Sequence, residues 1–235
     1  MPGRLHAGSQ PFRDRTGATI ITFDPPGSIS TVPVSISPAG VITGYYEEQS
    51  FVTHGFLRTA DGAITTFDAP GSPATIPASI NAAGAITGYY ALNGVARGFL
   101  RSPDGTITTF DAPGSIGTFP TSINGTGAIT GYYPPPGGTF RGFLRTPDGT
   151  ISPFDPPDAV QTVPWSINAA AEIAGQYADS STAETVRHRV SVIVMSRNRP
   201  RSVDAGRVGA EEWIRARRIK SGNAAVPTPH EPMRK

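Results

Sequence analysis

Four aspartates recur at nearly constant spacing, each within a Phe-Asp-(Ala/Pro)-Pro phrase. Their separations are 44, 43 and 44 residues, and they are Asp24, Asp68, Asp111 and Asp155. Carboxylates that a repeat brings together can present oxygens to a hard cation such as calcium. An aspartate before a proline-containing loop more commonly accepts backbone N–H bonds that fix a turn. The sequence therefore favours a turn role, with a calcium site as the alternative, and calcium is the one cofactor it suggests.

Tyrosines form a second candidate site. Three Gly-Tyr-Tyr phrases stand at residues 44–46, 88–90 and 131–133. Adjacent residues of a strand project to opposite faces, so one tyrosine of each pair is expected to be buried. The other could stack on a sugar or contact an extended peptide. The pattern favours packing within the sheets, and the alternative is a ligand surface made by Tyr46, Tyr90 and Tyr133.

Motifs typical of enzymes are absent from the sequence. It contains no G-x-S-x-G, H-E-x-x-H, P-loop or G-x-G-x-x-G pattern, and only four histidines. The residue before Gly-Phe is His54, Arg97 and Arg141 in successive copies. A site that needs imidazole chemistry would not accept arginine there, so we interpret these three as solvated polar residues. No catalytic residue is predicted.

These candidate residues belong to a tandem repeat. Two further phrases, Gly-Phe-Leu-Arg and Ser-Ile-(Asn/Ser), recur in fixed order with the others, which predicts four copies over residues 11–186. The approximate copies are 11–54, 55–97, 98–141 and 142–186. Residues 1–10 are predicted to be a disordered N-terminus, and residues 187–235 a basic, mostly disordered tail outside the repeat.

Each copy is predicted to form four short strands. In the second copy these are residues 55–59, 63–68, 74–81 and 85–90. Asp61-Gly62 supplies the positive φ angles of a tight hairpin, and Pro77 indicates an irregular or edge position. Gly88, inside the fourth strand, would let a neighbouring backbone approach closely.

Apolar side chains on both faces of these strands predict how the sheets are sheltered. Phe56 and Leu57 are adjacent, as are Tyr89 and Tyr90, so both faces need cover. Stacked blades of a β-propeller provide it, because each blade lies between two neighbours. We expect an all-β fold of four-stranded repeats, either four blades or part of a larger propeller, with a β-solenoid as the alternative.

The repeat phrases resemble the bacterial extracellular HAF-type repeats. In these a Gly-Phe-Leu strand, an Asp-Gly hairpin and a Ser-Ile-Asn…Gly…Ile…Gly-Tyr segment follow one another, as they do here over roughly Pro11 to Tyr177. The resemblance implies a secreted or surface-exposed, β-propeller-like protein. It implies no catalytic residues.

Charge divides the chain into two parts. Residues 1–186 hold eight arginines and fourteen acids, a formal net charge of −6, whereas residues 187–235 carry +8. An acidic repeat region argues against nucleic-acid binding, which needs clustered Lys and Arg. No apolar run is long enough to span a bilayer, and the start of the chain lacks the apolar stretch of a secretory signal.

Repeat character stops after His188, so we expect the tail to come from a reading-frame change or a fusion of unrelated sequence. The function that the sequence favours is a non-enzymatic binding scaffold for an unknown protein or glycan. The alternatives are a propeller-type hydrolase or lyase, and a non-functional truncated or frame-shifted product. An open sheet edge would add self-association.

Overall fold

In the computed structural model, residues 12–13 and 19–179 are described, and every regular element there is a β-strand. The predictions for residues 1–10 and 187–235 lie outside them. The strands are β1 Phe12–Arg13, β2 Thr19–Ile20, β3 Ser28–Ile36, β4 Ile42–Glu48, β5 Thr53–Arg58, β6 Ile64–Phe67, β7 Ala74–Ile80, β8 Ile86–Leu92, β9 Val95–Arg101, β10 Ile107–Phe110, β11 Phe119–Ile123, β12 Ile129–Tyr133, β13 Arg141–Arg145, β14 Ile151–Phe154, β15 Ala159–Ile167 and β16 Ile173–Asp179.

Antiparallel meanders make up the sheets. Strands β3–β6, β7–β10 and β11–β14 each form a four-stranded meander, while β1–β2 and β15–β16 form two-stranded sheets. A single parallel pair, Thr53 with Ala74, joins the first meander to the second. The β-solenoid alternative is therefore wrong, because the strands of each sheet are antiparallel neighbours in sequence.

The sheets are offset from the sequence copies. Strands β5–β8 of the second copy lie within two residues of their predicted positions, but they belong to two meanders, which the Thr53–Ala74 pair links into one eight-stranded sheet. Each meander begins with the third strand of one copy and ends with the second strand of the next. The first strands of successive sheets, β3, β7, β11 and β15, contact one another in chain order.

Glycine allows the closest approach between the first two strands of each meander. A Cβ atom on Gly88 would lie 2.2 Å from the Ile76 carbonyl oxygen and 2.9 Å from the Phe99 ring. Gly44 and Gly131 have equivalent surroundings. The predicted need for glycine is confirmed. Pro77 marks a β-bulge, as do the prolines at the same place in β3, β11 and β15, because proline has no N–H for the ladder.

Aromatic and arginine side chains pack each sheet on the next. The Phe67 ring at the end of β6 meets Phe99 of the following sheet edge-to-face, with centroids 6.2 Å apart. The guanidinium group of Arg101 lies over the same Phe67 ring, 5.0 Å from its centroid. The same trio recurs as Phe23, Phe56 and Arg58, and as Phe110, Phe143 and Arg145. Like environments for these phenylalanines confirm that the copies shelter one another.

The Ser-Ile-Asn phrase forms a polar ladder between the sheets. The Ile80 N–H donates to Ser35 Oγ across 3.3 Å, and the Ile123 N–H donates to Ser79 Oγ across 3.4 Å. Asn81 Nδ2 donates to the Asn124 carbonyl at 3.0 Å. These bonds give hydrogen-bond partners to polar groups that lie between successive sheets.

No helix within the described ranges is long and apolar enough to cross a membrane.

Candidate functional site

Strand direction gives the stack of sheets two different rims. We call the first the loop rim, and it comprises connections 21–27, 49–52, 68–73, 93–94, 111–118, 134–140 and 155–158. The second is the turn rim, and it comprises connections 37–41, 59–63, 81–85, 102–106, 124–128, 146–150 and 168–172. All turn-rim connections have five residues, whereas the loop-rim connections vary in length and sequence. Variable connections on a regular scaffold are where binding residues concentrate.

Three of the four repeated aspartates are hydrogen-bonded to basic side chains on the loop rim. Asp68 lies 2.9 Å from His54 Nδ1, and Asp155 Oδ2 accepts a 2.7 Å bond from Arg141 Nε. Asp111 is paired with Arg97 in the same way. Each partner lies fourteen residues earlier, because the register that pairs Gly55 with Phe67 places the flanking residues opposite one another. Arg97 and Arg141 are 40% and 47% exposed, so they are solvated polar residues as interpreted from the sequence. Each of the three basic residues also contacts a carboxylate.

The predicted calcium site has no cluster of ligands in this part of the chain. Among the residues that the structure describes, no three His, Asp or Glu side chains lie close enough together to hold one metal ion. Each of Asp68, Asp111 and Asp155 contacts a base of its own sheet. Calcium binding by these residues and Asp24 stays a prediction.

The tyrosine pairs divide between core and surface, as their alternation predicts. Tyr46, Tyr90 and Tyr133 are buried, and Tyr90 and Tyr133 pack in the cores between successive sheets. Tyr45, Tyr89 and Tyr132 are only partly buried. The residues that we selected as ligand contacts are thus the inaccessible members of their pairs. Their register explains it: Tyr46 lies opposite His54, on the same sheet face as Phe56.

Two of the partly buried tyrosines, Tyr89 and Tyr132, belong to an aromatic cluster near the loop rim. Tyr89 meets Phe119 edge-to-face at 5.3 Å, Phe119 stacks on Tyr132 at 5.2 Å, and Tyr132 meets Phe140 at 4.9 Å. We call these four residues the aromatic cluster. It joins the second sheet to the third and to the 134–140 connection. Phe119 and Phe140 have no aromatic counterpart in the other copies, so the repeat pattern gave no signal for them.

Burial within this cluster changes the acidity of its phenols. Desolvation raises the pKa of Tyr89, and the neighbouring Tyr132 and Tyr45 hydroxyls raise it further. Desolvation also raises the pKa of Tyr132. Both phenols are therefore less acidic than an ordinary tyrosine.

Large apolar side chains project from the loop rim into solvent. Phe51, in the 49–52 connection, is 78% exposed, and Ile116, in the 111–118 connection, is 56% exposed. Phe140, in the 134–140 connection, and Ile29, Val95 and Val160, near the adjoining strand ends, are also exposed. Exposed apolar groups gathered on one side of a protein mark an interaction surface more often than isolated ones do.

The turn rim differs from the loop rim in its chemistry. Asp148 accepts a 2.5 Å bond from Thr146 Oγ1 and a 3.0 Å bond from the Thr150 N–H. These two bonds hold the pKa of the Asp148 carboxyl below its usual range, with Thr146 the larger cause. Asp61 and Asp104 fix the equivalent hairpins. The prediction that Asp-Gly serves turn geometry is confirmed. These turn-rim hairpins are short and are stabilised by their own aspartates.

Comparison with solved structures identifies the fold. The structure of TolB from Acinetobacter baumannii, a β-propeller protein, matches with a TM-score of 0.52 at 12% identity, over 71% of this chain and 43% of that one. The chain has a β-propeller-like fold. Its three meanders are blades, and the pairing of β15 with β16 matches that of the first two strands of a blade.

Other propeller structures match less closely. A catalytically inactive virginiamycin B lyase from Staphylococcus aureus with quinupristin gives a TM-score of 0.47 at 19% identity, over 79% of this chain and 59% of that one. A streptogramin B lyase gives 0.44 at 18% identity, over 72% and 52%. The chain spans about half the length of the structures it resembles. No family model and no curated protein matches it.

Proposed function

We propose that this protein is a non-enzymatic binding scaffold whose ligand contacts the loop rim. The observation that carries the proposal is the concentration of exposed apolar side chains there, led by Phe51 and Ile116. A propeller-like stack presents such connections on one side of a rigid body, which favours binding without rearrangement.

A protein is the ligand that the rim favours. Protein interfaces combine apolar contacts at their centre with charged groups around them, and the rim places the paired Asp68, Asp111 and Asp155 beside its apolar side chains. A sugar needs an open aromatic face, but Phe119 and Tyr132 stack on each other with an interplanar angle of 15°. Their mutual stacking argues against a glycan platform at this position.

The repeated carboxylates contact basic side chains, which favours a binding function over hydrolase or lyase chemistry. A catalytic acid–base centre needs titratable groups that converge on one substrate position. Asp68, Asp111 and Asp155 instead contact three bases on three successive blades. The HAF-type resemblance adds the expectation of a surface-exposed or secreted location.

The proposal can be tested by attaching the protein to a surface in two opposite orientations. The chain has no cysteine, so Ala82→Cys on the turn rim and Val95→Cys on the loop rim each give a single point of biotin attachment. A random peptide-display library and a glycan array are then presented to both surfaces. We expect peptide ligands on the Ala82→Cys surface, where the loop rim is free, and none on the Val95→Cys surface.

Matched serine variants locate the contact. Phe51→Ser and Ile116→Ser should each weaken a selected peptide by tenfold or more, a loss of about 1.4 kcal/mol. Trp165→Ser, which removes an exposed aromatic residue of β15 away from the rim, should leave its affinity unchanged. Ligands that prefer the Val95→Cys surface, or that ignore the Phe51 and Ile116 variants, would contradict the proposal. Glycan hits alone would replace the protein partner with a sugar.

A further inference from the structure

One type of backbone contact joins the loop rims of successive blades. The Thr53 N–H donates to the Pro73 carbonyl at 3.0 Å, and Thr53 pairs in parallel with Ala74. At the next junction, the Thr118 N–H donates to the Ala96 carbonyl at 2.9 Å. Each contact places the beginning of a blade's third strand beside the beginning of the next blade's first strand.

Exposed apolar side chains meet across these contacts. In the parallel register of the first junction, Val95 lies opposite Ile116, and both side chains are exposed. The same register sets the 49–52 connection, which carries Phe51, beside the exposed Pro73. Two junctions thus present an apolar patch to solvent.

The third junction has the same construction. The Thr162 N–H donates to the Phe140 carbonyl at 2.8 Å, and Thr139 Oγ1 donates to the Val160 carbonyl. Phe140 and Val160 are both exposed. We call the three sets the junction patches, and they are Phe51 with Pro73, Val95 with Ile116, and Phe140 with Val160.

The packing of the sheets determines the distance from one junction patch to the next. Packed β-sheets lie about 10 Å apart, and one blade separates each patch from the next. A chain in polyproline II conformation rises ~3.1 Å per residue with three residues per turn, so a side chain recurs on the same side after about 9 Å. In a β-strand, side chains of one face recur after about 7 or 13 Å. The spacing of the patches therefore matches every third residue of a polyproline II segment.

Aspartates give the loop rim a negative charge. Its connections contain no lysine or arginine and five aspartates, which are Asp24, Asp68, Asp111, Asp155 and Asp158. Three of these contact basic side chains, whereas Asp24 and Asp158 are exposed and form no ion pair with any other described residue. Lysine or arginine in a ligand would therefore meet a surface of complementary charge.

The salt bridges of the loop rim favour an extended ligand over a helical one. The blade between the first two patches carries the Arg97–Asp111 salt bridge, and the next blade carries Arg141–Asp155. An amphipathic helix presents a continuous apolar stripe, which would cover these charges and remove their water at a cost. An extended segment can turn its polar residues toward the charges while every third residue reaches a patch.

We infer that the loop rim binds one extended segment of a partner protein, with an apolar residue at every third position and basic residues between them. This inference rests on the proposed function and defines the chemistry of its ligand. The three junction patches accept successive apolar side chains, and the aspartates attract the basic ones. A polyproline II segment is already ordered before it binds, so it loses little conformational entropy.

Peptides of one composition and different spacing test the inference. On the Ala82→Cys surface, a peptide with leucine at every third position, and lysine and proline between, is compared with isomers that have leucine at every second or every fourth position. We expect the first peptide to bind about tenfold more tightly than either isomer. Glutamate in place of its lysines should weaken binding by about tenfold or more, because the loop rim repels it.

Variants of each patch show whether one peptide contacts all three junctions. Phe51→Ser, Ile116→Ser and Val160→Ser should each weaken the every-third-leucine peptide about tenfold, and Trp165→Ser should leave its affinity unchanged. A peptide with serine in place of the middle leucine should lose its sensitivity to Ile116→Ser alone, because its outer leucines still fix its position on the other two patches.

The possible failures separate this inference from the proposed function. Equal affinity for the three isomers would overturn the inference, as would selection of apolar residues two helical turns apart. In both cases peptides would still bind the loop rim, so the proposed function would stand. Binding of no peptide to the Ala82→Cys surface would instead contradict the proposed function itself.

Discussion

A buried threonine in each of the last three copies shows how a single substitution disturbs the repeat. Thr75 and Thr118 are fully buried, and their hydroxyls accept 3.0 Å bonds from the Ala69 and Ala112 N–H groups. In the last copy Pro156 replaces this alanine and has no N–H to donate. Among the described residues, the equally buried Thr162 hydroxyl has no hydrogen-bond partner. One substitution has therefore left a buried polar group without compensation.

Thr162→Val should stabilise the protein by about 1 kcal/mol, because it removes a buried hydroxyl that bonds nothing. The matched variant Thr75→Val should destabilise it by about 1–3 kcal/mol, since the Ala69 N–H loses its acceptor. Urea unfolding measures both. Equal losses of stability in the two variants would show that Thr162 has a partner after all.

At the scale of the strand, glycine sets the spacing between neighbours. The Cβ of an alanine at position 88 would approach the Ile76 carbonyl oxygen to 2.2 Å and the Pro77 Cα to 2.7 Å. Backbone atoms on both sides leave no flexible side chain to move away. The meander would have to separate its first two strands at the point where the next blade packs.

Gly88→Ala should therefore destabilise the protein by about 3 kcal/mol or more, at the upper end of what overpacking costs. Gly125→Ala is the control, because a Cβ there meets nothing within 4 Å, and it should change stability by less than about 0.5 kcal/mol. The difference between the two unfolding midpoints is the readout. A tolerated alanine at position 88 would contradict the close approach.

Strands and their facing residues could be predicted from the sequence, but their grouping into sheets could not. The two-residue turn Asn93-Gly94, with positive φ at both positions, joins β8 to β9 as a hairpin. This signal occurs in one copy only: the matching connections are 49–52, without glycine, and 134–140, rich in proline. A feature that the copies do not share cannot be read from their consensus. The sequence therefore predicted one sheet for each copy, whereas each observed meander combines the last two strands of one copy with the first two strands of the next.

The candidate site shows the same limit. Alternation predicted that one tyrosine of each pair is buried, yet only the register with β5 decides that it is Tyr46. The ion pairs could have been found from the constant spacing of fourteen residues between His54 and Asp68, and between Arg97 and Asp111. Phe119 and Phe140 depend on contacts between blades, which no single copy encodes.

For the whole molecule, one physical arrangement supports the proposed function. Each blade buries its apolar faces against copies of itself, so the loop-rim connections can vary without loss of the core. A stack held together in this way depends on a contact like that of Phe67, Phe99 and Arg101, which recurs at three successive junctions.

The most direct test of that arrangement is a double-mutant cycle across one junction. Phe67→Leu combined with Arg101→Met should show a coupling energy of about 1 kcal/mol, the strength of a partly desolvated cation–π contact. Phe67→Leu combined with Arg145→Met, which stacks on Phe110 at the next junction, should be additive within about 0.5 kcal/mol. Coupling in the second cycle and none in the first would contradict the packing of successive blades described here.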